Sequence, residues 1–300
     1  GDRIVLKRGM SEIVAAGVIV TRDGKCCGDR DKDWLRDFDG WDLSAYCYVD
    51  WHVPPTPVPV TGLTRATIQR MYPQDLISAA QGVLALPAQP TAKPEPRPTQ
   101  ELTDDQILEF LVYEGLRPVA AEELTATFNR IRLLARYYYD HCSWDDVREH
   151  ETRTFLVAPL LIALGWSEQQ IKIELSADNR GRIDMACFAK PYRRINGVPN
   201  NGDCVLLLES KGFSFGLDYA HIQGKDYATT FPASGVVVAT NGFCYKAFVR
   251  SQDGATFNDR PSAYLNLLQP RDKYPLDPEN VDGGLELLRY LLPQFWMVRR

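Results

Sequence analysis

Two stretches decide how this chain is read: Gly181-Arg-Ile-Asp184 and Val205-Leu-Leu-Leu-Glu209-Ser-Lys211. Val205 to Leu208 are uniformly apolar and bounded by turn-forming residues, the pattern of a buried strand. That strand runs directly into a carboxylate, a small residue and a lysine. Side chains alternate along a strand, so Glu209 and Lys211 share a face. Asp184 adds a second carboxylate, on the strand expected from Gly181 to Phe188. Two carboxylates and one lysine at paired strand ends suit magnesium-dependent phosphodiester chemistry: hard oxygen ligands hold the cation, and an ammonium faces water or phosphate. A Glu-x-Lys triplet is also common as a solvated strand end, so the flanking elements must carry the reading.

Three hundred residues are enough for two domains. No apolar run is long enough to cross a membrane, and the opening Gly1-Asp-Arg-Ile is not expected to be a signal peptide. Seven cysteines and four histidines are scattered without metal-ligand spacing, which argues against zinc and for a reducing, cytoplasmic setting. The net charge of −5 does not advertise nucleic-acid binding; a local basic patch would suffice for it.

Residues 1–86 read as a β-rich domain. Strands are expected at Arg3–Lys7, Ile13–Val20 and Tyr46–Val53, with short helices at Arg65–Met71 and Pro73–Leu84. Residues 87–100 are a linker, with five prolines between Pro87 and Pro98. Residues 101–300 follow as one module. Thr103 starts a helix whose stripe is Ile107, Leu108, Leu111 and Val112, and a longer helix covers Ala120–Tyr139. Ser143 is expected to cap a third, from Trp144 to Leu164, kinked at Pro159. Strands are then expected at Ile171–Leu175, Gly181–Phe188, Val205–Lys211, Gly235–Ala239 and Tyr245–Val249, with helices at Asp218–Thr230 and Gly284–Leu292. The pattern gives a mixed α/β sheet covered by helices on both faces.

Six signatures in this order resemble the PD-(D/E)XK nuclease superfamily, and within it the nuclease domain of type I restriction motor subunits. They are Arg148-Glu149-His-Glu151-Thr-Arg153, Val157 to Trp166, Gly181 to Asp184, Leu207-Leu-Glu209-Ser-Lys211, Gln223-Gly-Lys-Asp-Tyr227-Ala228 and Ala239-Thr-Asn-Gly242. The likeness spans about residues 145 to 250. It implies a restriction-endonuclease-like core that hydrolyses phosphodiester bonds with Mg²⁺ or Mn²⁺. Asp184 and Glu209 would be metal ligands with the Ser210 carbonyl, and Lys211 would orient water or neutralise charge on the phosphate. Glu149 is preferred to Glu151 as the helix carboxylate, and Gln223 is expected at the site. The chain departs from the family in having Arg-Ile-Asp where Pro-Asp is common, and in a long 24-residue spacer between Asp184 and Glu209.

The likeness favours DNA as substrate and a role in restriction or anti-phage defence. Arg180, Arg182, Arg193 and Arg194 are expected to form a basic patch around the spacer, with Lys225 as a further nucleic-acid contact. A homodimer is among the expected assemblies. No phosphate-binding Gly-x-x-x-x-Gly-Lys loop is present, so any motor would be a separate chain. The first domain more loosely resembles the PUA-like/EVE class of small β-barrels, through Gly1 to Leu6, Ile13 to Val18, and Gly40-Trp-Asp-Leu43 with Val49-Asp-Trp51. That likeness implies a base pocket, for which Trp41, Tyr48 and Trp51 are the candidates beside Trp34 and Tyr46. Two alternatives stand beside the DNA endonuclease: a nucleic-acid-binding or scaffold protein that has lost catalysis, and an RNA-directed nuclease.

Overall fold

The structure, a computed structural model, describes residues 1–64, 70–89, 96–143, 146–177, 181–217, 220–251, 254 and 256–297. The chain is mixed α/β with several sheets. It forms two compact units. One comprises Gly1–Leu35 and Leu43–Glu95; the other comprises Arg36–Asp42 and Pro96–Arg300.

The first unit contains β1 (Arg3–Arg8), β2 (Glu12–Ile19), β3 (Cys27–Asp29), β4 (Ala45–Cys47), β5 (Val49–His52), β6 (Val58–Pro59) and α1 (Gln74–Leu84). β2 is central and pairs antiparallel with β1, β5 and β6. Its Ile13 and Ala16 are buried with Val83 of α1. The single strand expected over Tyr46–Val53 is two strands. The Tyr48 N–H donates to Cys26 O while Tyr48 O accepts from Val20 N, so the halves on either side follow different partners, β3 and β2. The expected barrel is not closed among the described strands, because β1 and β5 flank β2 without pairing to each other. The helix expected at Arg65–Met71 falls largely outside the described residues.

The second unit opens with α2 (Asp104–Tyr113) and α3 (Ala120–His141). Thr103 starts α2 through reciprocal bonds with Gln106, which satisfy two otherwise orphaned donors. α3 buries Leu124, Phe128, Ile131 and Ala135. The third helix begins later than Ser143 implies. The Ser143 N–H is taken by the Asp146 carboxylate at 2.6 Å, and the Arg148 N–H by Glu151 at 3.2 Å. Helical structure therefore starts with α4 (Glu149–Thr152), passes through a π-helical turn at Arg153–Val157, and ends in α5 (Ala158–Ala163). Pro159 has no N–H to return to the Phe155 carbonyl, and the ladder widens just before it in place of a simple kink.

The sheet elements are β7 (Ile171–Ser176), β8 (Arg182–Phe188), the small pair β9 (Arg194–Ile195) and β10 (Val198–Pro199), β11 (Cys204–Ser210), α6 (Ala220–Tyr227), β12 (Val236–Thr240), β13 (Cys244–Val249) and β14 (Ala263–Asn266). α7 (Gly284–Leu291) and α8 (Pro293–Met297) follow. Six strands run in the order β14-β13-β12-β11-β8-β7. β11 and β12 are parallel, joined by α6, and the other pairs are antiparallel. Every residue of β11 is buried. Leu206 and Leu208 enter a core shared with α2, α3, α5 and α7, whereas Leu207 packs with Tyr227, Ala228 and Phe231. A strand covered on both faces has no solvent side, which is why its sequence is an unbroken apolar run. Among the described residues, no helix is long and apolar enough to cross a membrane.

Candidate active site

The polar cluster sits where β11 runs out of core. Leu208 faces Met185 of β8, and Ser210 faces Thr240 of β12. The Ser210 N–H and hydroxyl both donate to Asp184 Oδ2, at 2.7 and 2.8 Å. Lys211 continues the ladder through its N–H to Thr240 O, at 2.8 Å. Its ammonium donates to Glu209 Oε1 at 3.0 Å. Two residues later the Phe213 N–H bonds Val147 O. That junction draws the start of α4 to the strand end, and Glu149 Oε1 lies 3.7 Å from Lys211 Nζ. Asp184, Glu209, Ser210, Lys211 and Glu149 are thus gathered from three elements. Glu151 is held at the helix start by the Arg148 N–H.

The charges in this cluster shift one another. Burial pushes the Glu209 carboxyl up to about 7, Asp184 and Glu149 add to that, and Lys211 opposes it. For Lys211, burial alone would lower the ammonium's pKa, but Glu209, Glu149 and Asp184 more than offset this and raise it. Glu209 Oε2 is buried with no hydrogen-bond partner.

Two participants, Arg153 and Glu174, were not among the expected site residues, although Arg153 ends the first of the six signatures. Arg153, buried in the π-helical turn, donates to Asp184 Oδ1 at 2.7 Å and to Glu174 Oε1 at 3.2 Å. Glu174 stands in β7 with φ +52°, a rare conformation for a non-glycine residue. An arginine inside the buried run Thr152, Arg153, Leu156, Val157 was the available hint, since a buried guanidinium needs a carboxylate.

Gln223 is drawn into a supporting contact. Its amide donates to the Tyr227 hydroxyl at 2.6 Å. A Cβ built on Gly181, whose φ is +118°, would lie 2.8 Å from that hydroxyl, so Gly181 lets β8 start close under Tyr227. On the same helix a Cβ on Gly224 would lie 2.6 Å from Val237 Cγ1, so α6 lies directly on β12. Lys225 is committed elsewhere: its ammonium donates to Asn258 O at 2.6 Å and stands over the Phe248 ring.

The basic residues around the spacer do not form one patch. Arg182 begins β8, is mostly exposed and lies 3.5 Å from Glu174. Arg193 and Arg194 lie between β8 and β11, at the start of β11, whereas Glu209 is near its end. Cys204, which opens β11, is itself about 17 Å from Glu209 at ~3.3 Å per residue. Arg180 lies outside the described residues. Of the three aromatics expected to share a base pocket, Trp51 and Tyr48 lie in the first unit and Trp41 in the second. Trp51 lines a groove of about 640 Å³ in the first unit with Arg3, Lys7, Arg70 and Tyr72. Tyr48 packs edge-on against Tyr46, which leans on Trp34. Trp41 belongs to the second unit and packs on Tyr139.

Among the described residues, no group of three or more His, Cys, Asp or Glu side chains is arranged to hold a metal ion. The expected donor set is smaller: two carboxylates and a peptide carbonyl. The buried Glu209 Oε2, which has no hydrogen-bond partner, is a hard oxygen donor that fits a cation such as Mg²⁺ or Mn²⁺. All seven cysteines are free. Comparison with protein-family models, curated proteins and solved structures finds no match.

Proposed function

We propose that the chain is a metal-dependent phosphodiester hydrolase of the PD-(D/E)XK kind, acting on nucleic acid, with DNA preferred and a role against foreign DNA. The observation that carries this reading is the convergence of Asp184, Glu209, Lys211 and Glu149 at the end of one buried strand. Asp184, Glu209 and the Ser210 carbonyl would hold Mg²⁺ or Mn²⁺. The cation supplies charge neutralisation at the phosphate and acidifies water.

The chain's own residues do the rest. Ser210 fixes the Asp184 carboxylate through two hydrogen bonds, and Arg153 fixes its other oxygen. Glu149 and Glu209 hold the Lys211 ammonium, which donates to the phosphate as negative charge grows there. Water attacks phosphorus in line. The water gives up one proton to solvent as its oxygen bonds phosphorus, the bond to the leaving oxygen breaks, and that oxygen takes up a proton from solvent, so one phosphate end and one hydroxyl end are released. The defence role, a separate motor chain and base reading by the first unit belong to the same proposal and rest on the family likeness.

One observation favours a binding-only protein: both oxygens of Asp184 already accept hydrogen bonds. Matched DNA and RNA strands incubated with Mg²⁺ or with EDTA test the reading. Metal-dependent cutting of DNA is expected. Cutting confined to RNA would move the substrate class, and tight binding with no cutting of either would favour the binding-only protein.

A further inference from the structure

The second unit holds a cavity of about 170 Å³ that the cluster does not use. Five aromatic rings line it: Trp41, Tyr138, Tyr139, Phe213 and Phe243. Tyr138 meets Phe213 at 5.4 Å and Phe213 meets Phe243 at 4.8 Å, centroid to centroid, while Trp41 leans on Tyr139 at 5.6 Å. Trp41 and Tyr139 remain 39% and 38% exposed, so one wall is open to an incoming ring.

Its position ties it to the strand end. Phe213 stands two residues beyond Lys211, and its N–H bonds Val147, two residues before Glu149. Phe243 lies in the turn after Thr240, the residue paired with Ser210. The Cα atoms of Lys211 and Phe213 span at most about 7 Å, so the cage borders the strand end that carries Lys211.

The open wall is held rigidly. Phe38 and Trp41 exchange backbone hydrogen bonds at 2.9 and 3.0 Å. Buried Asp37 accepts from Tyr264, Asn266 and the Gly40 N–H, and Asp39 accepts from Lys246 at 3.0 Å. A cage fixed before binding loses little freedom when it is filled. Its size suits a single ring. A cavity on the order of 150 Å³ accepts one benzene ring, so this one has room for a six-membered ring the size of a pyrimidine.

We propose that this aromatic cage is a subsite for one unstacked pyrimidine, next to the phosphate that meets Lys211. The inference rests on the hydrolase reading and deepens it. A base still inside a duplex cannot enter such a cage, so the substrate is single-stranded or locally opened nucleic acid, and stacking on the rings holds it.

The test compares two labelled strands in EDTA by fluorescence anisotropy: one thymine within an otherwise abasic strand, and the same strand fully abasic. Wild type and Lys211→Ala are expected to bind the thymine strand about tenfold more tightly, within the range of one base–aromatic stack. Trp41→Ala is expected to lose that preference and Trp41→Phe to keep most of it. Tyr139→Ala provides a second variant, and near-UV circular dichroism checks that each is folded. Equal binding of the two strands by wild type, or an undiminished preference in both folded alanine variants, would overturn the cage. Cutting is scored separately with Mg²⁺. Lys211-dependent cutting without a thymine preference sinks the cage and leaves the hydrolase. A thymine preference without cutting sustains the cage and removes the hydrolase.

Discussion

Replacing Glu209 by Gln has a calculable consequence for stability in the absence of metal. The carboxyl ordinarily titrates near 4.5 and is raised to about 7 in the folded chain, chiefly by burial. Below about 4.5 it is protonated whether folded or unfolded, and its contribution to stability is fully present. As pH rises through about 7 the folded chain is forced to ionise a group it prefers neutral, and the contribution is lost. The gap between 4.5 and about 7 corresponds to roughly 3 kcal/mol at ~1.36 kcal/mol per pH unit. Glutamine resembles the neutral acid in shape and cannot ionise. Urea unfolding in EDTA should therefore find Glu209→Gln close to wild type at pH 5. The variant should then be increasingly more stable as pH rises, by on the order of 1–3 kcal/mol at pH 8.5, the opposing pull of Lys211 being already contained in the raised value. A difference independent of pH, or one favouring wild type as pH rises, would refute the assignment of Glu209 as a carboxylate buried against its charge.

Metal affinity should follow the same group. Glu209 must ionise to bind, so calorimetry should show Mn²⁺ binding about tenfold tighter at pH 8 than at pH 6, with about half a proton released near pH 7; a flat profile contradicts this. Glu149→Gln should depress cutting at least tenfold. Glu151→Ala should instead lower the melting temperature slightly, through loss of the ~0.5–2 kcal/mol typical of a helix-start contact, and spare cutting; side-by-side assays of the two decide which glutamate serves. Asp37→Ala strips the acceptor from the Tyr264 hydroxyl, the Asn266 amide and the Gly40 N–H. It should cost on the order of 3 kcal/mol, read as a fall in denaturation midpoint, whereas Asp37→Asn keeps Oδ1 and should cost less.

What was legible in the sequence was local. The apolar run of β11 announced a buried strand, and Thr103 announced the start of α2. The Asp184, Glu209 and Lys211 set could be read because strand alternation and the order of neighbouring elements constrain it. What failed depended on partners far along the chain. Asp37-Phe-Asp-Gly-Trp41 reads as turn punctuation, yet residues 36–42 belong to the second unit, where Asp37 binds Tyr264 and Asn266 more than two hundred positions away. Arg153 could not be paired with Asp184 until the π-helical turn had been placed. Arg193 and Arg194 looked close to Arg182 because a linear count ignores the length of β8 between them. The choice between Glu149 and Glu151 lay within reach, since a glutamate three residues into a helix commonly takes the N–H at its start, and Glu151 is in that relation to Arg148.

The central claim is that the strand-end cluster hydrolyses phosphodiester bonds. The direct measurement is cleavage of supercoiled plasmid by wild type and by Lys211→Ala, each with Mg²⁺ and with EDTA, after circular dichroism shows the variant folded. Nicking or linearisation by wild type in Mg²⁺, absent in EDTA and absent in Lys211→Ala, is the expected result. Cutting that persists in folded Lys211→Ala, or in EDTA, would contradict it.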